Sequence, residues 1–512
     1  MKVVELHFLG GASTVTGSQH LLVTERAKIL VDCGMFQGSP NESARNRVPF
    51  GYDPREIDAL ILTHAHLDHC GLVPHLVAEG FEGPIFATAG TAELARLVLL
   101  DSAKLQQEFA DRTDRREQLD PARAARDERR EHRAVDAAVA EAAERDPERL
   151  LRSQAPSLHL DVEAPLYLEP DVVLAMARFK TRDYGTEFQV APGVRATLFD
   201  AGHILGSAMI RLTAAEGGRE TTVVFSGDLG RCDTPIIRDP TALADADHVV
   251  VESTYGGREH EPESEALRIL SETVRLVAQN KGVLLVPSFA IGRTQEVAYH
   301  LDRLIEEGTI PQLPLYLDSP MASKATEIYR HHPEYYDEAT KALLARKGDP
   351  LDYPGAVVTT DAEDSKKIKD APRPYLIVAS NGMLTGGRVI YHLRDLIDDP
   401  TAVILFVGYQ GEGTLGAHLQ AGVRTVHLLG EERQVRCAIR SIGGFSAHAD
   451  EPELLEWIRR FARGKKPGDP GRPRTVFIVH GDPGAQQALE PKIRALGLPT
   501  KVPAWREVVR LA

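Results

Sequence analysis

The sequence predicts an α/β fold with more than one domain. Its 512 residues exceed what a single hydrophobic core normally organises, which indicates two or three domains. Short β-rich runs separated by glycine-containing turns fill the N-terminal region and return between residues 190 and 256. From about 258 to 440, apolar runs alternate with helical segments, which is typical of a mostly parallel sheet.

The N-terminal region begins with four expected strands, VVELHFLGG, HLLVTE, KILVDCG and DALILTH. Helices are predicted over 72–80 and 90–109, because apolar residues such as Leu94, Leu97 and Val98 recur every three or four positions.

Residues 111–149 have a different composition, with 12 acidic and 10 basic residues and alanine in most other places. These are strong helix formers with only a thin apolar stripe, so we expect an exposed charged helix. An arm that contacts a partner or RNA is the alternative interpretation.

Strands are expected again in VRATLFDAGH, AMIRLTA, TTVVFSGDLG and HVVVEST. In the next region, VLLVPSF, LPLYLDS and YLIVASN each precede a helical segment, AVILFVGY and TVHLLG follow as strands, and TVFIVHGD lies near the end of the chain. The helices predicted in the second half are 292–307, 321–331, 387–397 and 451–462.

The overall charge argues against a general nucleic-acid coat. Acidic residues outnumber basic ones by 74 to 60, which gives a formal charge of -14. A local basic groove is still compatible with this balance, because phosphate recognition depends on where the charges lie.

Cysteine usage and hydropathy predict a soluble cytoplasmic protein without a membrane partner. The four cysteines, Cys33, Cys70, Cys232 and Cys437, are far apart and form no CxxC pair, as expected for reduced thiols. The N-terminus lacks the pattern of a signal peptide, and no apolar run approaches the roughly 20 residues that span a bilayer.

Polar side chains of the kind that bind metals follow several predicted strands. The run LILT leads into His64, His66, Asp68 and His69. Four other strands end in the same way, at His203, Asp228, Glu252 and His480. Because the carboxyl ends of strands meet at one edge in layered α/β proteins, we expect these residues to form one site.

The spacing in HAHLDH fits two metal ions. His64 and His66 are two apart and project to one side of an extended segment, while Asp68 and His69 lie at the following turn. Imidazole and carboxylate suit zinc, and manganese or iron are compatible. Asp228 has two oxygens and could bridge both ions, which together could activate a water molecule for displacement at phosphorus.

These residues resemble a known family. HAHLDHCG is similar to the HxHxDH signature of the metallo-β-lactamase superfamily, and Asp32, His203 and Asp228 match its other core motifs in order. The extra motifs of the β-CASP nucleases resemble VVVESTYGG, GFSAHAD and VHGD, which contain Glu252, His448 and His480, as well as SFAIGRTQE, DSPMA, ASNGMLTGGR and VGYQGEGTLG.

The resemblance implies a four-layer αββα metallo-β-lactamase sandwich with an inserted β-CASP α/β domain. The sandwich would comprise residues 1–257, with a charged helical insertion at about 110–160, and residues 441–512. The β-CASP domain would occupy 258–440.

The resemblance also implies roles for the site residues. Two zinc ions would be held, with manganese compatible, one by His64, His66, His203 and Asp228 and the other by Asp68, His69, Asp228 and His480. Asp32 would orient the ligands or the water. His448 would protonate the leaving ribose oxygen, and Glu252 would orient His448, because a leaving alkoxide needs a proton at neutral pH and a carboxylate partner raises a histidine's pKa.

Two glycine-containing turns before helices are candidate phosphate sites. A helix start offers free N–H groups to an anion, and glycine lets the backbone approach it. The predicted RNA phosphate-binding residues are Arg293, Thr294, Ser380, Asn381, Gly386, Gly387 and Arg388.

The expected function is that of a zinc-dependent ribonuclease, a hydrolase that cuts single-stranded RNA internally or from the 5′ end. The family chemistry leaves a 5′-phosphate and a 3′-hydroxyl, and bacterial relatives suggest a homodimer. One alternative is a hydrolase of small esters or thioesters, which would not need the region 258–440. The others are a DNA nuclease, disfavoured by His480, and an inactive scaffold, disfavoured because every motif position is filled.

Overall fold

The computed structural model describes residues 4–119, 121–145, 164–408, 410–411 and 413–511. The chain forms two compact units. The first comprises Met1–Cys232, Asp239–Arg258 and His448–Ala512, and the second comprises Asp233–Arg238 and Glu259–Ala447. The first unit is therefore built from both ends of the chain.

The strands are, in chain order, β1 Val4–Gly10, β2 Gln19–Val23, β3 Lys28–Val31, β4 Ala59–Ile61, β5 Ile85–Ala87, β6 Phe179–Thr181, β7 Phe188–Ala191, β8 Val194–Asp200, β9 Ala208–Glu216, β10 Arg219–Phe225, β11 His248–Val251, β12 Val283–Pro287, β13 Leu315–Asp318, β14 Ala356–Val358, β15 Tyr375–Ala379, β16 Val403–Phe406, β17 Thr425–Leu428, β18 Glu431–Gln434, β19 Ala438–Ser441, β20 Thr475–Ile478, β21 Thr500–Lys501 and β22 Glu507–Leu511.

The α-helices of the described ranges are, in chain order, α1 Pro40–Ala44, α2 Leu67–Cys70, α3 Val73–Ala78, α4 Ala89–Leu119, α5 Pro121–Arg145, α6 Glu169–Met176, α7 Glu263–Gln279, α8 Arg293–Glu306, α9 Pro320–His331, α10 Glu338–Lys347, α11 Ala362–Lys367, α12 Val389–Leu396, α13 Leu415–Gln420, α14 Glu451–Ala462 and α15 Pro483–Ala495. Short 3₁₀ turns lie at Arg45–Arg47, Pro54–Glu56, Pro333–Tyr335 and Ile368–Asp370. Among these helices, none has both the length and the apolar character needed to cross a lipid bilayer.

The first unit contains two sheets, each of seven strands within the described residues. One has the order β22-β1-β2-β3-β4-β5-β6, and the other has the order β21-β20-β11-β10-β9-β8-β7. Both sheets are mixed. Strands β4 and β5 run parallel to β3, and β11 and β20 run parallel to β10.

The core of the first unit lies between its two sheets. Leu6 and Phe8 of β1 share one buried cluster with Leu198 of β8, Phe225 of β10 and Phe477 of β20. Alternate residues of a strand point to opposite faces of the sheet. The apolar side chains on the outer face of each sheet must therefore be buried by other elements.

Helices supply the outer cover of this unit. On the second sheet, Ile458 of α14 and Leu489 of α15 pack with Val249 and Ile478. On the first sheet, the residues that alternate with the inner ones, such as Leu30, are fully buried as well. Helices α3 and α4 follow β4 and β5 on that side, as crossover connections between parallel strands require. The unit is a four-layer αββα sandwich, as predicted.

The second unit is a parallel α/β layer. Its main sheet has the strand order β14-β13-β15-β12-β16-β19, and each neighbouring pair is parallel. Val297 of α8 packs with Leu284 on one face, and Val389 of α12 packs with Leu285 on the other. The β-α alternation of the sequence predicted this arrangement.

The strand expected in TVHLLG does not join that sheet. Thr425–Leu428 instead pairs with Glu431–Gln434 in a separate antiparallel ribbon. Leu429 and Gly430 both have positive φ angles, of 51° and 88°, which is the backbone of a two-residue hairpin turn.

The described residues of the charged segment 111–149 are helical, but they are not exposed on all sides. They are divided between the end of α4 and α5, while residues 120 and 146–149 lie outside the described part of the chain. The thin apolar stripe of α5, at Ala134, Ala138 and Ala142, is buried with the core between the sheets. One face of α5 is therefore buried by this stripe, whereas the sequence predicted an exposed helix.

We predict that Phe477→Ala lowers the free energy of unfolding by about 3–5 kcal/mol, since it removes a fully buried ring and leaves a cavity between the sheets. Urea denaturation followed by circular dichroism measures this. Val508→Ala is the control, because Val508 is 42% exposed on β22. An equal midpoint shift for the two variants would contradict the prediction.

Candidate metal centre and active site

Strand ends from both sheets of the first unit bring the candidate residues together. His64 and His66 follow β4 of the first sheet. The second sheet contributes His203 after β8, Asp228 after β10 and His480 after β20. Because these strands have their carboxyl ends at one edge, residues far apart in sequence become neighbours.

The first cluster contains His64, His66, His203 and Asp228, with one potential ligand atom from each lying within 4.8 Å of the others. Nδ1 of His66 lies 3.1 Å from Nε2 of His64 and 3.2 Å from Nε2 of His203. Oδ2 of Asp228 lies 3.5 Å from His64 Nε2 and 3.6 Å from His203 Nε2.

The second cluster contains Asp68, His69 and His480, again within 4.8 Å. Nε2 of His480 lies 3.2 Å from Nε2 of His69 and 3.4 Å from Oδ2 of Asp68. The other carboxylate oxygen of Asp228, Oδ1, lies 3.2 Å from His69 Nε2. Asp228 therefore presents one oxygen to each cluster.

The chemistry of these atoms fits bound cations. Oδ1 of Asp228 is buried, and among the described residues no group makes a well-formed hydrogen bond to it. Nε2 of His64 and Nε2 of His203 both face Nδ1 of His66, at 3.1 and 3.2 Å, and the single lone pair of that nitrogen can accept only one good hydrogen bond. A set of nitrogen and carboxylate donors around such a point suits zinc.

Burial and neighbouring charges set the protonation of the ligands. Burial lowers the pKa of His66 to about 4 and that of His64 well below its usual value, which keeps both rings neutral, as metal ligands must be. Burial lowers the pKa of His69 as well, but Asp228 and Asp32 raise it well above its usual value. Burial raises the pKa of Asp228, but His480, His69 and His64 hold it well below the usual range. In these positions a cation would replace the proton between imidazole and carboxylate.

Asp32 lies behind the second cluster and orients it. Its Oδ2 lies 2.7 Å from Nδ1 of His69, so that nitrogen donates and Nε2 faces the cluster. Its Oδ1 accepts the backbone N–H of Thr63 at 2.8 Å, and the Thr63 hydroxyl lies within 3.0 Å of both oxygens. Thr63 was not identified as a site residue from the sequence, although it is a polar residue at the end of the run LILT.

Close backbone packing holds the ligand-bearing turns. A Cβ atom added to Gly34, directly after the turn that carries Asp32, would lie 1.7 Å from the carbonyl oxygen of Asp68. A Cβ on Gly230 would lie 1.7 Å from the carbonyl oxygen of Gly202, next to His203. Only glycine lets these turns approach each other so closely.

His448 and Glu252 form a pair beside the clusters. Nδ1 of His448 lies 3.1 Å from Oε1 of Glu252, which is fully buried. Glu252 also accepts the backbone N–H groups of Leu229 at 2.7 Å and Thr254 at 3.2 Å, so its carboxylate is fixed. The His448 ring centroid lies 4.6 Å from that of His203.

The environment of His448 favours its protonated form. Burial lowers its pKa, but Glu252, together with Asp228 and Asp68, raises the pKa to about 9. Cations at the two clusters would offset the charges of Asp228 and Asp68. Glu252 is therefore the carboxylate that would still raise the pKa of His448 with cations bound.

The predicted phosphate-binding residues lie in the second unit, at the carboxyl ends of β12 and β15, where several already have internal partners. Arg293 is buried and ion-paired with Glu296, and Arg388 donates to Oδ1 of Asp318 at 2.7 Å. Thr294 donates to the carbonyl of Phe289 at 2.8 Å. Phosphate contact by these side chains stays a prediction.

The other turn residues differ in how far they are engaged. Ser380 donates to the Ser319 hydroxyl at 3.0 Å, and Asn381 Oδ1 accepts the N–H of Met383 at 2.7 Å. Gly386 faces open space, and Gly387 has a φ of 80°, which favours glycine.

The sequence did not single out the carboxylate that organises this region. Asp318 accepts hydrogen bonds from Ser365, Thr359 and His392 as well as from Arg388. These contacts hold its pKa well below the usual range, against the effect of burial. The stretch DSPMA contains Asp318, but no sequence pattern indicated that Asp318 contacts His392, which lies 74 residues later.

Three family models match the chain. They are the metallo-beta-lactamase superfamily over residues 14–141, the Beta-Casp domain over 294–419, and the Zn-dependent metallo-hydrolase RNA specificity domain over 432–503. The histidine and carboxylate clusters, found in a chain that matches metallo-hydrolase models, indicate a metal-binding protein.

Relatives match along nearly the whole chain. Ribonuclease TTHA0252 of Thermus thermophilus is 35% identical over 95% of this chain and 94% of its own length. Transcription termination factor FttA of Methanosarcina mazei is 32% identical over 99% of this chain and 72% of its own length. FttA of Pyrococcus horikoshii is 30% identical over 98% and 70%. The chain belongs to the β-CASP family of the metallo-β-lactamase superfamily.

Proposed function

We propose that this protein is a metal-dependent ribonuclease that hydrolyses phosphodiester bonds in single-stranded RNA. The observation that carries the proposal is the position of Asp228, whose oxygens face two ligand clusters, beside a hydrogen-bonded His448–Glu252 pair. Such an arrangement can hold cations where negative charge develops and place a proton donor beside them.

Two zinc ions are the proposed cofactors, with manganese compatible with the same donors. His64, His66, His203 and Asp228 would hold one ion, and Asp68, His69, Asp228 and His480 the other. When bound, such ions lower the pKa of water and offset charge on phosphate oxygens. Asp32 would hold His69 with its Nε2 toward the ion.

His448 is the proposed general acid. Water loses one proton to solvent as its oxygen bonds to phosphorus, the bond from phosphorus to the 3′-oxygen breaks, and His448 gives its proton to that oxygen. The products are a 5′-phosphate and a 3′-hydroxyl, and solvent then reprotonates His448. Since Nδ1 of His448 faces Glu252, Nε2 is the nitrogen that would donate. Glu252 would favour the imidazolium before transfer and orient the ring.

RNA as the substrate is supported by the matched RNA specificity model and by the name of the bacterial ribonuclease relative. The seven predicted phosphate-binding residues would contact the RNA backbone from the second unit. We further propose that the metallo-β-lactamase domain comprises 1–257 and 441–512 and that the β-CASP domain comprises 258–440.

A cytoplasmic homodimer is the proposed state of the protein. The four cysteines carry free thiols, of which Cys33, Cys70 and Cys437 are buried, as in proteins of a reducing compartment. The dimer rests on the family resemblance.

We expect the zinc-loaded protein to cleave single-stranded RNA and to leave DNA of the same sequence intact. Substrates labelled at the 5′ or the 3′ end, resolved on a sequencing gel, measure both properties. Internal cuts give ladders from either label, whereas trimming from the 5′ end releases labelled mononucleotides from the 5′-labelled RNA. Cleavage of DNA alone, or of small esters and thioesters without RNA cleavage, would contradict the proposal.

His448→Ala should lower turnover by about 10²-fold or more while bound metal stays unchanged, because it removes the proton donor and no proposed ligand. Metal content by mass spectrometry and single-turnover cleavage measure this. An RNA with sulfur in place of the 3′-leaving oxygen needs no proton, so this substrate should largely restore the variant's rate. A variant equally slow on both substrates would remove His448 from this role.

Asp32→Asn should weaken metal binding by about 10- to 100-fold, since the amide can no longer accept the His69 and Thr63 hydrogen bonds as the carboxylate does. Competition with a chromophoric chelator gives the affinity. Asp53→Asn is the control, because this half-buried carboxylate pairs with Arg55 and belongs to neither cluster. If both variants bound zinc as the parent does, Asp32 would have no orienting role.

A further inference from the structure

A strongly basic surface lies at the C-terminal end of α14 and in the segment that follows it. We call residues 459–474 the basic surface. They contain seven lysines and arginines and one aspartate, in a chain whose acidic residues outnumber the basic ones by 74 to 60. This local charge runs against the charge of the whole molecule, and the metal centre does not use it.

The basic surface includes a depression that could receive a ligand. Its volume is about 510 Å³, within the usual range of ligand-binding clefts. It is lined by Glu456, Arg459, Arg460, Ala462, Arg463 and Leu496. Three guanidinium groups thus surround one carboxylate, over a floor that is partly apolar.

Two of these arginines have charge available for a ligand. Arg459 is ion-paired with Glu456 on the same helix. Within the described residues, the guanidinium groups of Arg460 and Arg463 make no hydrogen bond or ion pair with protein atoms. A planar guanidinium can bind a phosphate through two parallel N–H groups, which makes arginine suited to recognise phosphate.

The segment after α14 is held in place by its own contacts. Arg472 donates to the carbonyl oxygens of Ala462 at 3.1 Å, Lys465 at 2.6 Å and Gly497 at 2.8 Å. Lys465 in turn bonds to Oδ1 of Asp245 at 2.5 Å. The last carbonyls of a helix normally repel anions, and Arg472 satisfies one of them with a positive charge.

Helix α14 links the basic surface to the metal centre. Asp450 caps the start of the helix two residues after His448, and the basic surface begins near its other end. The 12 residues of α14 correspond to about 18 Å at a rise of 1.5 Å per residue. A nucleic acid held at the metal centre would need several further nucleotides to reach this surface.

We propose that the basic surface, through Arg460 and Arg463, binds phosphates of single-stranded RNA outside the cleavage point. This inference rests on the proposed ribonuclease function. A contact of this kind adds affinity for long substrates by raising the effective concentration of the RNA at the metal centre. It does not alter the bond-breaking step.

The test compares the parent protein with Arg460→Ala/Arg463→Ala. Fluorescence anisotropy with a labelled 24-nucleotide single-stranded RNA, in chelator so that no cleavage occurs, gives the dissociation constant at several salt concentrations. We expect the constant to rise about tenfold at low salt. The slope of log affinity against log salt should fall by about 1.4, since each lost phosphate contact of a single strand contributes about 0.7.

Cleavage kinetics separate this surface from the metal centre. With zinc bound, the double variant should raise KM for the 24-nucleotide RNA about tenfold, keep kcat within twofold, and leave a 5-nucleotide RNA unaffected. If the double variant binds RNA more weakly but the parent protein cleaves no RNA, the ribonuclease proposal is contradicted and the RNA-binding surface is retained.

Two further variants keep the result interpretable. Lys104→Ala/Lys180→Ala removes the same charge from exposed positions elsewhere in the first unit and should bind RNA as the parent does. Arg460→Lys/Arg463→Lys keeps the charge but loses the planar group, so its affinity should lie between those of the parent and the alanine variant.

Two outcomes would overturn the inference. One is an unchanged dissociation constant and salt slope in the alanine double variant. The other is an equal loss of affinity for polyglutamate of the same charge, which would show that the surface binds polyanions without preference for nucleic acid.

Discussion

The arrangement depends on one buried carboxylate. Asp228 is 2% exposed, and its two oxygens face separate groups of imidazoles. An ionised carboxylate in such a place is costly unless positive charge compensates it. The raised pKa of His69 supplies part of that charge as an imidazolium, and bound cations would supply it in place of the proton. Cations at both clusters would satisfy the carboxylate and the inward-facing nitrogens together. The clustering of ligands is thus an electrostatic requirement as well as a chemical one.

Two sheets are needed to build this site. One strand end can place two or three side chains around a point, but seven candidate ligands require several strands that end at the same edge. The sandwich supplies them from β4, β8, β10 and β20. Close approaches at Gly34 and Gly230 then let the turns pack against one another. The final strands, which lie more than 200 residues after Asp228 in the chain, complete the sheets and deliver His480.

Catalysis and substrate retention are assigned to different parts of the first unit. His448 and Glu252 lie beside the clusters, where Glu252 is fixed by two backbone N–H groups. The basic surface lies at the far end of α14. Long-range attraction of RNA can therefore occur in an acidic protein, because a few arginines without internal partners determine the local potential. Arg293 and Arg388, by contrast, are held by internal carboxylates.

The sequence by itself determined the α/β class, about half of the helices and the set of candidate ligands, because strand ends and the HAHLDH spacing are local patterns. A helix was predicted near 451–462 and lies at Glu451–Ala462, and the clustering of His64, His203 and His480 was expected from the motifs that carry them. Contacts between segments that are distant in the chain could not be predicted from the sequence. The burial of Ala138, the Asp318–His392 pair and the separate hairpin of Thr425–Leu428 depend on which surfaces meet in three dimensions. Only the tertiary structure decided these, because the free energy of burial and pairing belongs to pairs of segments that no local pattern identifies.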